Sequence, residues 1–209
     1  MTTRGDQSAA TRARLLDTAV ESLIESGFAS TSTVSVQKRA GVSRGALLHH
    51  FPTREALFTA AVQRLVEVNL EAMREEAAAA LADSDPVTRG MWVLRRASRR
   101  PSFGAELELW SAARTDAQLR TALRSAEQMA RGQLYAMIDE VFGPEIVGSP
   151  HYRLIVELTV QLIRGLAVTA SLYERADRTE PLIGQWADLV RTLLRDGLPA
   201  HPPVAFPAP

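Results

Sequence analysis

Apolar residues along the 209-residue chain recur at helical spacing, and no stretch alternates with a period of two. Over 8–26, Leu15, Leu16, Ala19, Leu23 and Ile24 fall on one face, and Gly27 follows as a helix stop. A short helix is predicted over 33–40, with Ser32 as its N-cap. Gly41-Val42-Ser43 makes a tight turn, and a second short helix covers 44–50 before Pro52 interrupts the pattern. Thr53 then caps a long helix running to about Ala82, striped by Leu57, Ala61, Leu65, Val68 and Met73.

Asp85-Pro86 opens the second half, where proline in a first helical turn is favourable. Arg100-Pro101-Ser102 breaks that helix, another covers 104–114, and a longer one covers 116–142. Residues 143–150 read as a glycine- and proline-rich loop, followed by the most apolar helix, 151–175, and a last helix over 182–196 ending at Gly197. The remainder, 198–209, is proline-rich and predicted disordered. The fold class is all-α, and the pattern contains no internal repeat.

Two short helices joined by a glycine turn and backed by an amphipathic helix describe a helix-turn-helix over 32–51. Val36 and Ala40 on the first short helix can pack against Val42 and Leu47, fixing the angle between the two. Ser43 can cap the second helix and leave free N–H groups there for phosphate, and Thr33 at the start of the first is a further candidate DNA contact. Arg44, Gly45, Ala46, Leu48, His49 and His50 lie on or near the side open to a major groove. Arg44 is the candidate base reader, since arginine to guanine is the commonest specific contact. His49 and Arg54 are candidate phosphate contacts.

Charge agrees with this reading. The chain is formally neutral, but residues 1–64 hold eight basic groups against five acidic ones, a surplus of three. No carboxylate occurs between Glu25 and Glu55, a segment carrying Lys38, Arg39, Arg44 and Arg54, which suits a polyanionic partner. With 46% hydrophobic and 23% charged residues the chain can bury a full core. It has no cysteine, which excludes disulfides and thiolate chemistry. The first residues lack an apolar signal region and no apolar run is long enough to span a membrane, so a soluble cytoplasmic protein is expected.

The run Val36-x-x-x-Ala40-Gly41-Val42-Ser43-Arg44-Gly45-Ala46-Leu47-x-His49-His50-Phe51, then Thr53-Arg54-Glu55-Ala56-Leu57, resembles the TetR (tetracycline repressor) family of transcriptional regulators. Leu15-Leu16-Asp17-x-Ala19 and Gly27-Phe28 stand where that family's first helix has similar residues, so the likeness is strong over 9–69. It is weaker at Glu108-Leu109-Trp110-x-Ala112-Ala113 and Arg164-Gly165-Leu166-Ala167. The resemblance implies a bacterial regulator with a DNA-binding domain over 9–69 and a helical ligand-binding and dimerisation domain over 70–197. It further implies a homodimer, formed through the helices near 151–175 and 182–196. An inverted-repeat operator, repression and release by a small-molecule effector follow from the same likeness. Three positions depart from the family's pattern. Gln37 replaces a small alanine, Ser35 offers no carboxylate for a capping box, and Leu48 replaces a phosphate-binding tyrosine. Gln37 and Leu48 leave open a second reading, a ligand- or protein-binding dimer whose DNA head has decayed.

Met91, Trp92, Phe103, Trp110, Met129, Met137 and Arg164 are candidates for lining the ligand cavity. Trp and Met are equally ordinary core residues. Glu157, Gln161 and Arg164 share one face of an apolar helix, either as polar handles in a pocket or dimer seam or as a solvated stripe. Adjacent His49 and His50 cannot chelate from one helix face, and no metal spacing, phosphate loop or nucleophile elbow is present. No cofactor, metal or catalytic activity is expected.

Overall fold

A computed structural model describes residues 4–80, 85–170 and 179–197, and every regular element among them is a helix. The N-terminal part holds α1 (Arg4–Ser30), α2 (Thr33–Arg39), α3 (Arg44–His50) and the long α4 (Arg54–Ala79). Then follow α5 (Pro86–Ala97), α6 (Pro101–Ala113), α7 (Ala117–Phe142), α8 (Pro144–Val147), α9 (Tyr152–Ala170) and α10 (Thr179–Asp196). Side-chain caps start five of them: Ser32, Ser43, Thr53, Asp85 and Asp116 each accept a backbone N–H three residues on.

Several boundaries differ from the sequence expectation. Pro101 does not break a helix but begins α6, because proline at the first helical position lacks only an N–H that would have had no partner there. Pro144 does the same for α8, inside the stretch expected to be a loop. α10 begins at Thr179, before the expected Leu182. α1 starts at Arg4 and continues to Ser30, with its break at Gly27 (φ 76°, ψ 172°). The expected end of α4 near Ala82, the last residues of 151–175 and the tail 198–209 lie outside the described residues.

Two hydrophobic cores result. The first gathers Leu15, Leu23, Val36, Leu47, Phe51, Leu57, Val62 and Leu65 with Leu109 of α6 and Leu119 and Leu123 of α7. The second joins Met73, Val93, Ile138, Phe142, Ile155, Val156, Ile183 and Val190. α4 and α7 pass through both cores, and Glu76, buried on α4, accepts from Arg96 Nε (2.6 Å) and Arg100 Nε (3.1 Å). Arginine ends and carboxylate are matched there, so the buried charge is hydrogen-bonded rather than stranded.

The second core depends on one close approach. Gly90 on α5 lies against the Phe142 ring, and a Cβ at 90 would overlap the ring edge. Gly90→Ala is therefore expected to destabilise the fold by about 1–3 kcal/mol despite alanine's better helix propensity. Thermal melting of Gly90→Ala with and without Phe142→Leu checks it: the second change should recover part of the loss, and an unchanged single variant refutes the packing assignment.

Candidate nucleic-acid interface and ligand cavity

The head is built by local chemistry. Ser32 Oγ accepts from Ser35 N (3.1 Å) while Ser35 Oγ accepts from Ser32 N (2.8 Å), so the capping box closes with a hydroxyl in place of the expected carboxylate. This corrects the expectation that the start of α2 lacks its reciprocal bond. Gln37 Nε2 donates to Val42 O at 2.6 Å, tying the end of α2 to the turn. Gln37 thus braces the helix-turn-helix. Val36, Ala40, Val42, Leu47 and Phe51 are all buried, as the packing of two short helices requires. Arg39 is held by Glu25 (2.6 Å) and Glu21 (3.1 Å) of α1, which removes it from the outward-facing charges.

The candidate DNA-contacting residues separate on this frame. Arg44, Gly45, Leu48 and His49 are exposed, with Leu48 at 44%. Ser43 is exposed too, but its hydroxyl accepts from Ala46 N (3.1 Å). Thr33 is half-buried, and Ala46 is turned partly into the first core. His50 is half-buried with its ring edge-on to His49, 5.1 Å between centroids. Arg54 is exposed at the start of α4, its guanidinium 4.8 Å above the Phe58 ring. Gly45 has no internal reason to be glycine: an added Cβ would meet only Ser43 Oγ at 3.9 Å. Glycine in a helix costs about 0.5–1 kcal/mol, and here no contact within the protein explains it.

Behind the head lies a cavity of about 950 Å³, large for a small-molecule site. α4 contributes Val66, Asn69 and Met73, α6 contributes Phe103, Glu106 and Trp110, α7 contributes Leu123, Glu127 and Tyr135, and α9 contributes Glu157, Gln161 and Arg164. Of the expected lining residues, Phe103, Trp110 and Arg164 are on the wall, with the Arg164 guanidinium 4.2 Å above the Trp110 ring. The other four are elsewhere. Met91 is buried in the second core and Met137 packs against it, Trp92 faces outward beneath Arg96, and Met129 is 61% exposed. The reason is helical phase: Trp92 lies two residues, about 200° of turn, from the wall residue Leu94. Glu157, Gln161 and Arg164 all line the cavity, and Glu157 and Gln161 are also solvent-exposed, so pocket face and solvated stripe coincide along this side of α9.

The polar centre of the cavity was not anticipated. Asn69 Nδ2 donates to the Glu106 carboxyl and to Ser102 O (3.4 Å), while its buried Oδ1 has no partner. Burial pushes the Glu106 carboxyl above the ordinary glutamate range, and the charge of Glu127 adds to this against the pull of Asn69 and Arg164. Burial likewise raises Glu127, opposed by Arg164 and by Trp110, whose buried Nε1 completes no hydrogen bond. A signal existed in the sequence. Asn69 is four residues from both Leu65 and Met73, and Glu106 is three and four from Leu109 and Trp110, so each interrupts an apolar stripe.

Head and cavity are joined directly. Phe28 N donates to Glu108 Oε1 of α6 at 2.8 Å, and the Phe28 ring meets Phe58 of α4 edge-on at 5.6 Å. Among the described residues no group of histidine or acidic side chains is placed to hold a metal, and no helix is long and apolar enough to cross a membrane.

Residues 15–61 match the family described as bacterial regulatory proteins, tetR family. Over 188 residues the chain is 28% identical to an uncharacterized HTH-type transcriptional regulator of Mycobacterium tuberculosis, spanning 90% of this chain and 94% of that one. It is 26% identical over 189 residues to the HTH-type transcriptional regulator CymR of Pseudomonas putida, 90% of this chain and 93% of the other. Among solved structures, a transcriptional regulator from Rhodococcus superposes with a TM-score of 0.65 at 23% identity, covering 90% and 99% of the two chains.

The raised Glu106 carboxyl has a consequence for stability. Between its ordinary and its raised value the folded state binds more protons than the unfolded state, so stability falls as pH rises through that window and stays reduced above it. Glu25, Glu76 and Asp85 are shifted down by their arginine and backbone partners, so their contribution is lost only as pH falls below the ordinary range. Glu106→Gln should flatten the stability curve above the carboxylate range while changing stability near pH 4 by less than about 1 kcal/mol, since glutamine mimics the protonated acid. Denaturant melts of both proteins across pH test it, and parallel curves contradict the assignment.

Proposed function

We propose that the chain, whose residues 15–61 match the tetR family of bacterial regulatory proteins, is a dimeric repressor that binds an inverted-repeat operator and is released by a small molecule. The residues over 9–69 form the reading head, those over 70–197 hold the effector and the dimer contact. The observation that carries the DNA reading is the outward face of α3: Arg44, Gly45, Leu48 and His49 are exposed together, and Gly45 is unexplained unless another surface approaches its backbone closely. In this reading Arg44 reads a base edge, and His49, Ser43, Thr33 and Arg54 position the head on phosphates.

A second copy accounts for apolar surface on the last helices. Leu154, Leu158 and Val168 of α9, and Leu182 and Leu189 of α10, are large hydrophobic residues left exposed. A twofold pair of heads also supplies the symmetry that an inverted repeat demands. The decayed-head alternative rested on Gln37 and Leu48. Gln37 holds the turn, so its presence favours a maintained head.

Effector release follows from shared helices. α4 runs from Arg54 in the head to Met73 on the cavity wall, and α6 carries Glu106 and Trp110 on one side and Glu108, bonded to Phe28, on another. A ligand that changes the packing of either helix alters the spacing of the two heads.

Footprinting of the protein on its own upstream DNA should show two half-sites related by a twofold, centred about 10 base pairs or a multiple apart. A single asymmetric half-site contradicts the dimer. Arg44→Ala should cost about 1–3 kcal/mol on that site and relax base preference. Leu48→Tyr should strengthen binding to operator and random DNA alike, by about 1.5–3 kcal/mol at most, through one added phosphate hydrogen bond. Leu48 is exposed, so the larger ring need not disturb the core. Weaker binding by a normally stable Leu48→Tyr dimer rejects the missing-clamp idea.

A further inference from the structure

We propose that the cavity takes a protonated amine on an apolar frame, its ammonium N–H groups directed to Glu106 and Asn69 Oδ1. This rests on the reading of the cavity as the effector site. The least exposed charges on the wall are two carboxyls, Glu106 (buried) and Glu127 (half-buried), and one half-buried guanidinium, Arg164, lying over the Trp110 ring. One negative charge therefore lacks a counter-ion when both carboxyls ionise, and burial makes that deficit costly. Burial shifts both carboxyls in the direction that relieves this deficit, toward their neutral forms.

An orphaned acceptor stands beside this deficit. Asn69 donates through Nδ2 to the Glu106 carboxyl, and its buried Oδ1 has no partner. A carboxylate and a carbonyl oxygen side by side accept from an N–H-bearing cation. They give a quaternary ammonium no hydrogen bond and leave an alcohol without the charge. Apolar side chains of α4, α6 and α7, among them Val66, Leu70, Phe103 and Leu123, supply contact for the rest of the ligand.

Other charges around the cavity do not reverse this balance. Arg114, Arg120, Arg124 and Arg131 line its mouth but are exposed, where water and salt screen them. Arg120 is directed to the carbonyls of Ala113 and Arg114, and Arg131 lies over Tyr135. Glu157 of α9, also exposed, adds a further negative charge.

The test uses four probes on one frame: 2-(2-naphthyl)ethylamine, its N,N,N-trimethylammonium analogue, 2-(2-naphthyl)ethanol and 3-(2-naphthyl)propanoate. Calorimetry on the full chain should find the primary amine at least about tenfold tighter than the other three, the size of a charge-assisted hydrogen bond. Repeated near pH 5.5, about one unit above the ordinary glutamate value, in buffers of different ionisation enthalpy, amine binding should release a fraction of a proton. Glu106→Gln should abolish that release and bring the amine down to the affinity of the alcohol, and Asn69→Leu should narrow the gap between primary and quaternary amines. Equal or tighter binding of the carboxylate overturns the proposal, as does a primary amine no better than the quaternary one. If either variant fails to fold, the ranking of the four probes on the unaltered protein decides alone. Adding the amine to the operator complex separates the two readings. Binding without DNA release refutes the effector role while leaving the ligand class standing. DNA release by the alcohol or the carboxylate, with no binding of the amine, refutes the ligand class alone.

Discussion

The hydrogen bond from Phe28 N to Glu108 is a polar contact that fixes how the head meets the rest of the molecule. Gly27 makes it possible twice over. Its φ of 76° and ψ of 172° break α1, a conformation that costs other residues about 1–3 kcal/mol, and its missing side chain leaves room for the carboxylate. A Cβ at that position would stand 2.8 Å from Glu108 Oε1. The free N–H created by the break in α1 is thus satisfied from α6, not by the head itself, and the angle at which α1 ends is set by the body.

The same dependence appears in the packing. A three-helix head of about sixty residues buries too little surface to be more than marginally stable alone. Here its core is completed by Ala105, Leu109, Leu119 and Leu123, all from α6 and α7. Glu106 and Glu108 lie two residues apart, about 200° around α6, so one faces the cavity and the other the head. α6 is a plate with a ligand-facing and a head-facing side, and its displacement cannot be absorbed by the cavity alone, because close-packed interiors transmit small shifts rather than damping them.

The elements written in local chemistry were legible in the sequence. Ser32, Ser43 and Thr53 cap the helices they precede, and the tight turn at Gly41 separates two helices of the expected lengths. Prolines were legible only in part, since Pro101 and Pro144 can end one element or begin the next, and only the following residues' packing decides. The cavity was the least legible. Size and hydrophobicity pointed equally to Met91, Trp92, Trp110 and Met137, but which of them meets empty space depends on the rotation of each helix against partners distant in sequence. The informative residues were the polar ones in apolar register, Asn69 and Glu106: a buried carboxyl has to have a reason, whereas a buried methionine does not.

The three departures from the family's pattern take on different meanings once placed. Ser35 and Gln37 are hydrogen-bonded within the frame, one closing the cap of α2 and the other fixing Val42 O. Arg39 is occupied by Glu21 and Glu25. Several of the head's polar side chains are thus engaged in holding its own geometry, while Arg44, His49, Lys38 and Arg54 remain exposed, as does the apolar Leu48. A face with few cations and an exposed leucine gains less from counterion release than one lined with arginines. In the proposed DNA reading, base preference then rests on the Arg44 guanidinium, which a rigid frame has to hold in register with a base edge.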